Sequence, residues 1–231
     1  MLDLATTEGK IVSAALRLAA EQPWQDITLR QIASASGQSL AELSEHFASK
    51  SEVLSAFLAS VDKEVLSNAP APRDGETKRD ALFEVIMARF DVLDPFKSAL
   101  RSIANSGEFD LSMLRPMLKS QHWMLEAAGV GTDGAKGTIK TAGLATVYGA
   151  AFRTWLDDDD PGMARTMAVL DRRLRRGEQA MSGIETVFDA AQRVKSMLRS
   201  GLSRSRRSAG ASASDQPDQD DPASAEPAPT T

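Results

Sequence analysis

Cysteine is absent from the 231 residues. Disulfides, thiolate metal sites and cysteine nucleophiles are therefore excluded. Histidine occurs twice, at His46 and His122, which leaves little material for a metal centre. Aromatic residues make up only 5% of the chain. No apolar run approaches the roughly 18 to 20 residues that a membrane-spanning helix needs. The opening Met1-Leu2-Asp3-Leu4 lacks the basic stretch and apolar run of a secretory signal, so a cytoplasmic protein is expected. Strand-like alternation never extends beyond a few residues. Ala, Leu and Met are plentiful, which favours helices over strands.

The net charge of −5 is unevenly spread. From Ala209 to Thr231 there are five acids and no Lys or Arg, so residues 1–208 balance to zero. That tail contains no large apolar residue and cannot bury enough surface to offset its ordering entropy. It is expected to be a disordered acidic tail.

The remainder reads as all-α. Ile11, Ala14, Ala15 and Leu18 recur at helical spacing over residues 7–22, and Pro23 stops them. Three segments follow, each opened by a capping-box pattern: Thr28 with Gln31, Ser39 with Glu42, and Ser49 with Glu52. Gly37 stands between the first two and suits a left-handed turn. Residues 28–47 thus read as two short helices around a tight turn, and the third segment runs on to Asn68. Pro70, Pro72 and Gly75 then break the chain. Further helices are expected over 76–93, 96–105, 111–128, 137–156, from Asp160-Pro161 to about 181, and 183–199. The expected organisation is a helix-turn-helix domain at 1–50, a linking helix at 50–68, a larger helical domain at 76–200 and the tail at 209–231.

A helix-turn-helix lays its second short helix in a DNA major groove while the first crosses the backbone. The residues here are more specific than that outline. Ala14 to Leu18, Ile27-Thr-Leu-Arg-Gln-Ile-Ala33, Gly37, Ser39, Leu43, His46-Phe47 and Ser49-Lys50 resemble the N-terminal domain of the tetracycline-repressor family of one-component regulators. The resemblance covers roughly 45 residues. It implies an all-helical two-domain fold, a homodimer, operator DNA as partner and an apolar effector bound by the larger domain. The residues placed to meet DNA are Thr28, Arg30, Ser39, Leu40, Glu42, Ser44, Glu45 and Lys50. Thr28 and Ser39 sit at helix N-termini, where hydroxyls and free amides hold phosphates. Arg30 and Lys50 add positive charge, and Glu42 can accept from a cytosine amino group. The sequence departs from the family where Ala41 replaces the usual Gly and Ser44 the usual Tyr. Residues 1–50 carry six acids against four bases, a net −2, which weakens the counterion-release contribution to DNA affinity.

The later segment carries Asp91 to Arg101, Leu111 to Leu114, Trp123, Ala142 to Tyr148, Trp155 to Pro161 and Leu170 to Leu174. In that order it resembles the ubiquinone-biosynthesis accessory family, whose members share the repressor fold and bind lipid. This resemblance implies a lipid-like small molecule as ligand and membrane docking through a C-terminal amphipathic helix. Phe90, Leu114, Trp123, Tyr148, Phe152 and Trp155 are the expected ligand-pocket residues, with Tyr148 and Trp155 on one face two turns apart. Residues 183–207 combine an apolar stripe with an arginine cluster; packing of that stripe within the protein or dimer is expected, and docking on an anionic membrane is the alternative. Asp157 to Asp160 lack the spaced oxygen donors of a Ca²⁺ or Mg²⁺ site and read as a turn with a helix cap, neutralised by the arginines of the next helix. No cofactor is called for. No nucleophile with its base and no phosphate loop is visible, so an enzyme is not expected.

Overall fold

The computed structural model describes residues 3–69, 73, 75–107 and 111–180. The described residues form helices and connecting turns, without a strand. The expected helix at 183–199, the stretch 183–207 and the tail at 209–231 lie outside them.

Helix α1 spans Thr7–Glu21, capped by the Thr6 side chain, which accepts from the Gly9 amide at 3.0 Å. It buries Ile11, Val12, Ala15, Leu16 and Ala19. A short 3-10 turn at Trp24–Asp26 leads to α2, Leu29–Ser36, and α3, Leu40–His46. Both of these helices carry complete reciprocal capping boxes. Helix α4 covers Lys50–Asn68 and differs in one bond. The Ser49 hydroxyl accepts from the Glu52 amide at 3.2 Å, but the Glu52 carboxylate accepts from Ala48, at 2.7 Å, instead of from Ser49. The orphan donor satisfied there is one residue earlier than the sequence pattern predicts.

Helices α5 (Lys78–Leu93), α6 (Lys97–Asn105), α7 (Leu114–Ala127) and α8 (Gly134–Leu156) follow. The first residues of the expected 111–128 segment form a separate 3-10 turn at Leu111–Met113. Residues 164–180 form α9, which inserts Leu170 and Leu174 into the core. This helix begins later than Asp160-Pro161, the start expected from sequence. Pro161 lies in a turn, and Asp160 folds back to accept the amides of Gly162 at 3.1 Å and Ala164 at 3.2 Å. A carboxylate that satisfies the free amides of the first turn substitutes for the proline start.

One continuous apolar core runs from Ile11 to Leu174. Residues 1–181 accordingly form one compact unit. Helix α1 packs against both α2 and α6, and α4 packs against α5 and α7. The Ser102 hydroxyl of α6 ties the turn after α1 to the rest, accepting from the Trp24 amide at 3.0 Å and donating to the Gln22 carbonyl at 3.2 Å.

Candidate nucleic-acid interface and helical groove

The α2–α3 unit is held from both ends of its turn. Thr28 accepts from the Gln31 amide at 3.2 Å, and Gln31 returns the bond to the Thr28 amide at 2.8 Å. Ser39 and Glu42 repeat this at 3.1 and 2.7 Å. Between them Gly37 has φ of +72°, a left-handed conformation that costs glycine nothing. Inward, Ile32, Ala33, Leu43 and Phe47 are buried. The positions left facing outward include Thr28, Arg30, Ser39, Glu42, Ser44 and Glu45, all exposed, with Leu40 at 41% exposure. Seven of the eight residues expected to meet DNA therefore share the solvent side of this unit.

The eighth, Lys50, is half-buried. Its ammonium group donates to the Trp24 carbonyl at 3.0 Å and lies over the Trp24 ring, 4.9 Å from the centroid. Trp24 is itself buried, so this lysine pins the start of α4 against the turn after α1. Glu42 serves its own helix: the Ser39 backbone and side chain bond its carboxylate and hold it below the usual carboxylate range. His46 lies at the surface, 3.6 Å from Glu8, while Phe47 alone of that pair enters the core.

The six expected pocket residues separate. Phe90, Tyr148, Phe152 and Trp155 assemble into one aromatic stack. Phe90 lies parallel to Tyr148 and to Trp155 at centroid distances of 5.5 and 5.4 Å, and Tyr148 stacks on Phe152 at 5.9 Å. Phe90 and Trp155 have no exposed surface. Leu114 is 48% exposed, and Trp123 is 40% exposed along α7. Same-face spacing on α8 brought Tyr148 and Trp155 together, but α5 supplied Phe90 to fill the space between them.

The larger open space lies between α4 and α7. It is a groove of about 890 Å³, with Leu58, Ala59 and Leu66 from α4 and Pro116 and Trp123 from α7 as its apolar wall. Of the expected pocket residues, Trp123 lines it. Asp62 also reaches the groove, and behind it stands a buried polar network that sequence reading missed. Arg89 of α5 is 1% exposed and pairs with the Asp62 carboxylate. The same guanidinium donates to the Tyr148 hydroxyl at 3.0 Å and to the Ser120 hydroxyl at 3.3 Å, while Ser120 donates to Asp62 at 2.5 Å. Burial opposes the charge on Arg89, but Tyr148 and Asp62 outweigh it and hold its pKa above the ordinary value. Burial in turn pushes the Tyr148 hydroxyl up. The signal was present in the sequence: Asp62 and Arg89 each interrupt an apolar helical stripe, Val61 and Val65 around one, Ile86 and Leu93 around the other.

A second cleft, of about 420 Å³, is lined by the Asp158–Asp160 run with Asp91, Asp94 and Lys97. Cations of α6, which sequence reading did not foresee, meet the run beside Arg165 of α9. The Lys97 ammonium group donates to the Asp158 carbonyl at 2.5 Å, and Arg101 pairs with Asp159 at 3.3 Å. Of the arginines expected from α9, Arg165 reaches the Asp157 carbonyl at 3.4 Å. Among the described residues, no group of three or more acids and histidines is arranged to hold a metal ion. No helix among them is long and apolar enough to cross a membrane.

Comparison with known proteins agrees with the N-terminal reading. Residues 11–57 match the family model described as bacterial regulatory proteins, tetR family. No curated protein matches the chain. Among solved structures, a TetR transcriptional regulator from Nitrosomonas europaea superposes with a TM-score of 0.60 at 22% identity, over 75% of this chain and 99% of that one. A TetR regulator from Rhodococcus sp. RHA1 gives 0.59 at 15% identity, over 74% and 94%. A TetR-family regulator from Syntrophomonas wolfei gives 0.52 at 13%, over 76% and 95%. These likenesses bear on the fold, and none of the three concerns the ubiquinone-biosynthesis resemblance. The chain thus has the fold of TetR-family transcriptional regulators, with a tetR-type helix-turn-helix at residues 11–57 followed by a larger helical domain.

Proposed function

We propose that this protein is a transcriptional regulator that binds operator DNA as a homodimer and responds to an apolar small molecule. The observation that carries the proposal is the α2–α3 unit, with both capping boxes closed, Gly37 left-handed and the outer face of α3 free of core contacts. A rigid two-helix unit presenting one face is what insertion into a major groove requires. Thr28 and Ser39 hold the helix N-termini toward phosphates, and Arg30 supplies an exposed positive charge. Leu40, Ser44 and Glu45 are the side chains offered to base edges. The effector site is the groove between α4 and α7, reached by Trp123 and linked to Tyr148 through Asp62 and Arg89.

The test is retention of genomic DNA fragments by the purified protein at two salt concentrations. A fragment with two half-sites about 34 Å apart, or a multiple of that spacing, should be retained, and less so at the higher salt. Arg30→Ala should weaken binding to every sequence alike, because a phosphate contact carries no base information. Absence of salt-sensitive retention of any fragment would sink the reading.

A second reading is a lipid-binding accessory protein of ubiquinone biosynthesis that does not bind DNA and sits at a membrane surface. What favours it is the acidity of α3, where Glu42 and Glu45 are both exposed within a half-domain of net −2. Lipid co-purifying with a protein that retains no DNA would select it.

A further inference from the structure

The groove between α4 and α7 carries unbalanced positive charge. Lys63 lines it from α4, and Arg115 and Lys119 line it from α7. All three are exposed, and none makes an ion pair or hydrogen bond among the described residues. Among the described residues the single acid that lines the groove, Asp62, is already neutralised by the buried Arg89. Three cations therefore stand beside a wall of Leu58, Ala59, Leu66 and Trp123.

The charge and the apolar surface are ordered along the groove. Ser55 of α4 donates to the Met113 sulfur at 3.4 Å, and seven residues later Asp62 accepts from Ser120. The two helices thus advance side by side in the same direction. Arg115, Lys119 and Trp123 recur every fourth residue and form one stripe of α7. Arg115 lies toward the Ser55 end, Lys119 and Lys63 toward the middle, and Trp123 with Leu66 toward the far end. From Ser55 to Ser67 the α4 side is about 18 Å long at helical rise.

We infer that this groove binds an anionic amphiphile, with a carboxylate or phosphate head held by Arg115, Lys119 and Lys63 and an apolar chain laid along Leu66 and Trp123. The inference rests on the groove being the effector site and specifies the effector's chemistry. The three cations are exposed and unpaired among the described residues, so an anionic head gains charge-assisted bonds there that a purely apolar effector cannot make. The acidic tail of this chain has the charge but no large apolar residue for the wall, so it is not the occupant.

The test is direct binding to the full chain, stripped of bound lipid, without DNA. Oleate, oleyl phosphate and oleyl alcohol are titrated by calorimetry and by tryptophan fluorescence. Trp123 is the exposed tryptophan, with Trp24 and Trp155 buried, so the fluorescence change reports the groove. Oleate or oleyl phosphate should bind at least about tenfold more tightly than the alcohol, the ratio of the two naming the head group. Exposed Lys63→Gln with Lys119→Gln should remove most of that advantage, leave alcohol binding unchanged and preserve the melting temperature of the free protein. Trp123→Phe should abolish the fluorescence change while calorimetric binding persists. Equal binding of alcohol and anions, anion binding untouched by the double variant, or no binding of any of the three would overturn the inference. So would displacement of oleate by a peptide of residues 209–231. Loss of DNA retention alone would overturn only the regulator reading.

Discussion

Asp62 stands on a helical face that Val53, Phe57, Val61 and Val65 otherwise make apolar, and it is tolerated there because Arg89 and Ser120 meet it. A buried ion pair stabilises little in itself, but breaking it leaves a charge without a partner. Asp62→Ala should therefore destabilise the protein by about 3–5 kcal/mol in urea unfolding, whereas Asp62→Leu with Arg89→Met should cost much less. Equal losses in the single and double variants would contradict this account. Asp158 offers a pH-dependent counterpart. It is 1% exposed and accepts from the Thr166 amide at 2.9 Å and hydroxyl at 2.8 Å. Burial works against its ionisation, but the Thr166 bonds win and hold its pKa below the ordinary 3.8. A carboxylate with a lowered folded-state pKa stabilises above its unfolded pKa, and that contribution is lost as pH falls through the folded value. Stability should fall on acidification below about pH 4, and Asp158→Asn should flatten that acid limb relative to the unmodified protein.

At the scale of elements, the helix-turn-helix takes its turn from short-range hydrogen bonds and its persistence from the core that Ile32, Ala33, Leu43 and Phe47 join. Helices α2 and α3 are only eight and seven residues long, too short to persist alone. Their caps and the left-handed Gly37 fix the angle at which α3 leaves α2. A Cβ at Gly37 would meet nothing within 4 Å, so Gly37→Ala tests backbone conformation without steric crowding. It should cost about 1–2 kcal/mol in thermal or urea unfolding. Thr28→Ala should cost a comparable ~1 kcal/mol through the lost cap. Both variants should weaken DNA retention at temperatures where the protein is still folded. The capping patterns made these two helices legible, because each bond joins residues three apart and depends on nothing distant. The partner of Glu52 was not legible, because choosing between the amides of Ala48 and Ser49 depends on how the chain leaves Phe47 for α4.

Across the whole molecule, α4 joins the two proposed sites. Its first residue, Lys50, holds Trp24, and its later turns wall the groove and carry Asp62. A second connection runs through Ser102, which bonds both Gln22 and Trp24. With one apolar core from Ile11 to Leu174, unfolding should be a single transition whether followed by tryptophan fluorescence or circular dichroism. Ser102→Ala should lower stability by about 1 kcal/mol and leave the transition single, because the core and not this bond unites the halves. Two separated transitions in the unmodified protein would count against a shared core.

Composition and periodicity by themselves determined the all-helical class, most helix positions and the helix-turn-helix, because each rests on spacings of three or four residues. The eight residues expected to meet DNA were read from the same local pattern, and seven of them lie on its outer side. Tertiary structure alone decided that Lys50 turns to Trp24, that Lys97 and Arg101 answer the aspartate run, and that Phe90 closes the aromatic stack. It also decided where the open space lies. Groove and stack are both lined by more than one helix, with partners tens of residues apart, and single-helix periodicity states which side chains share a face but not which face of another helix will cover them.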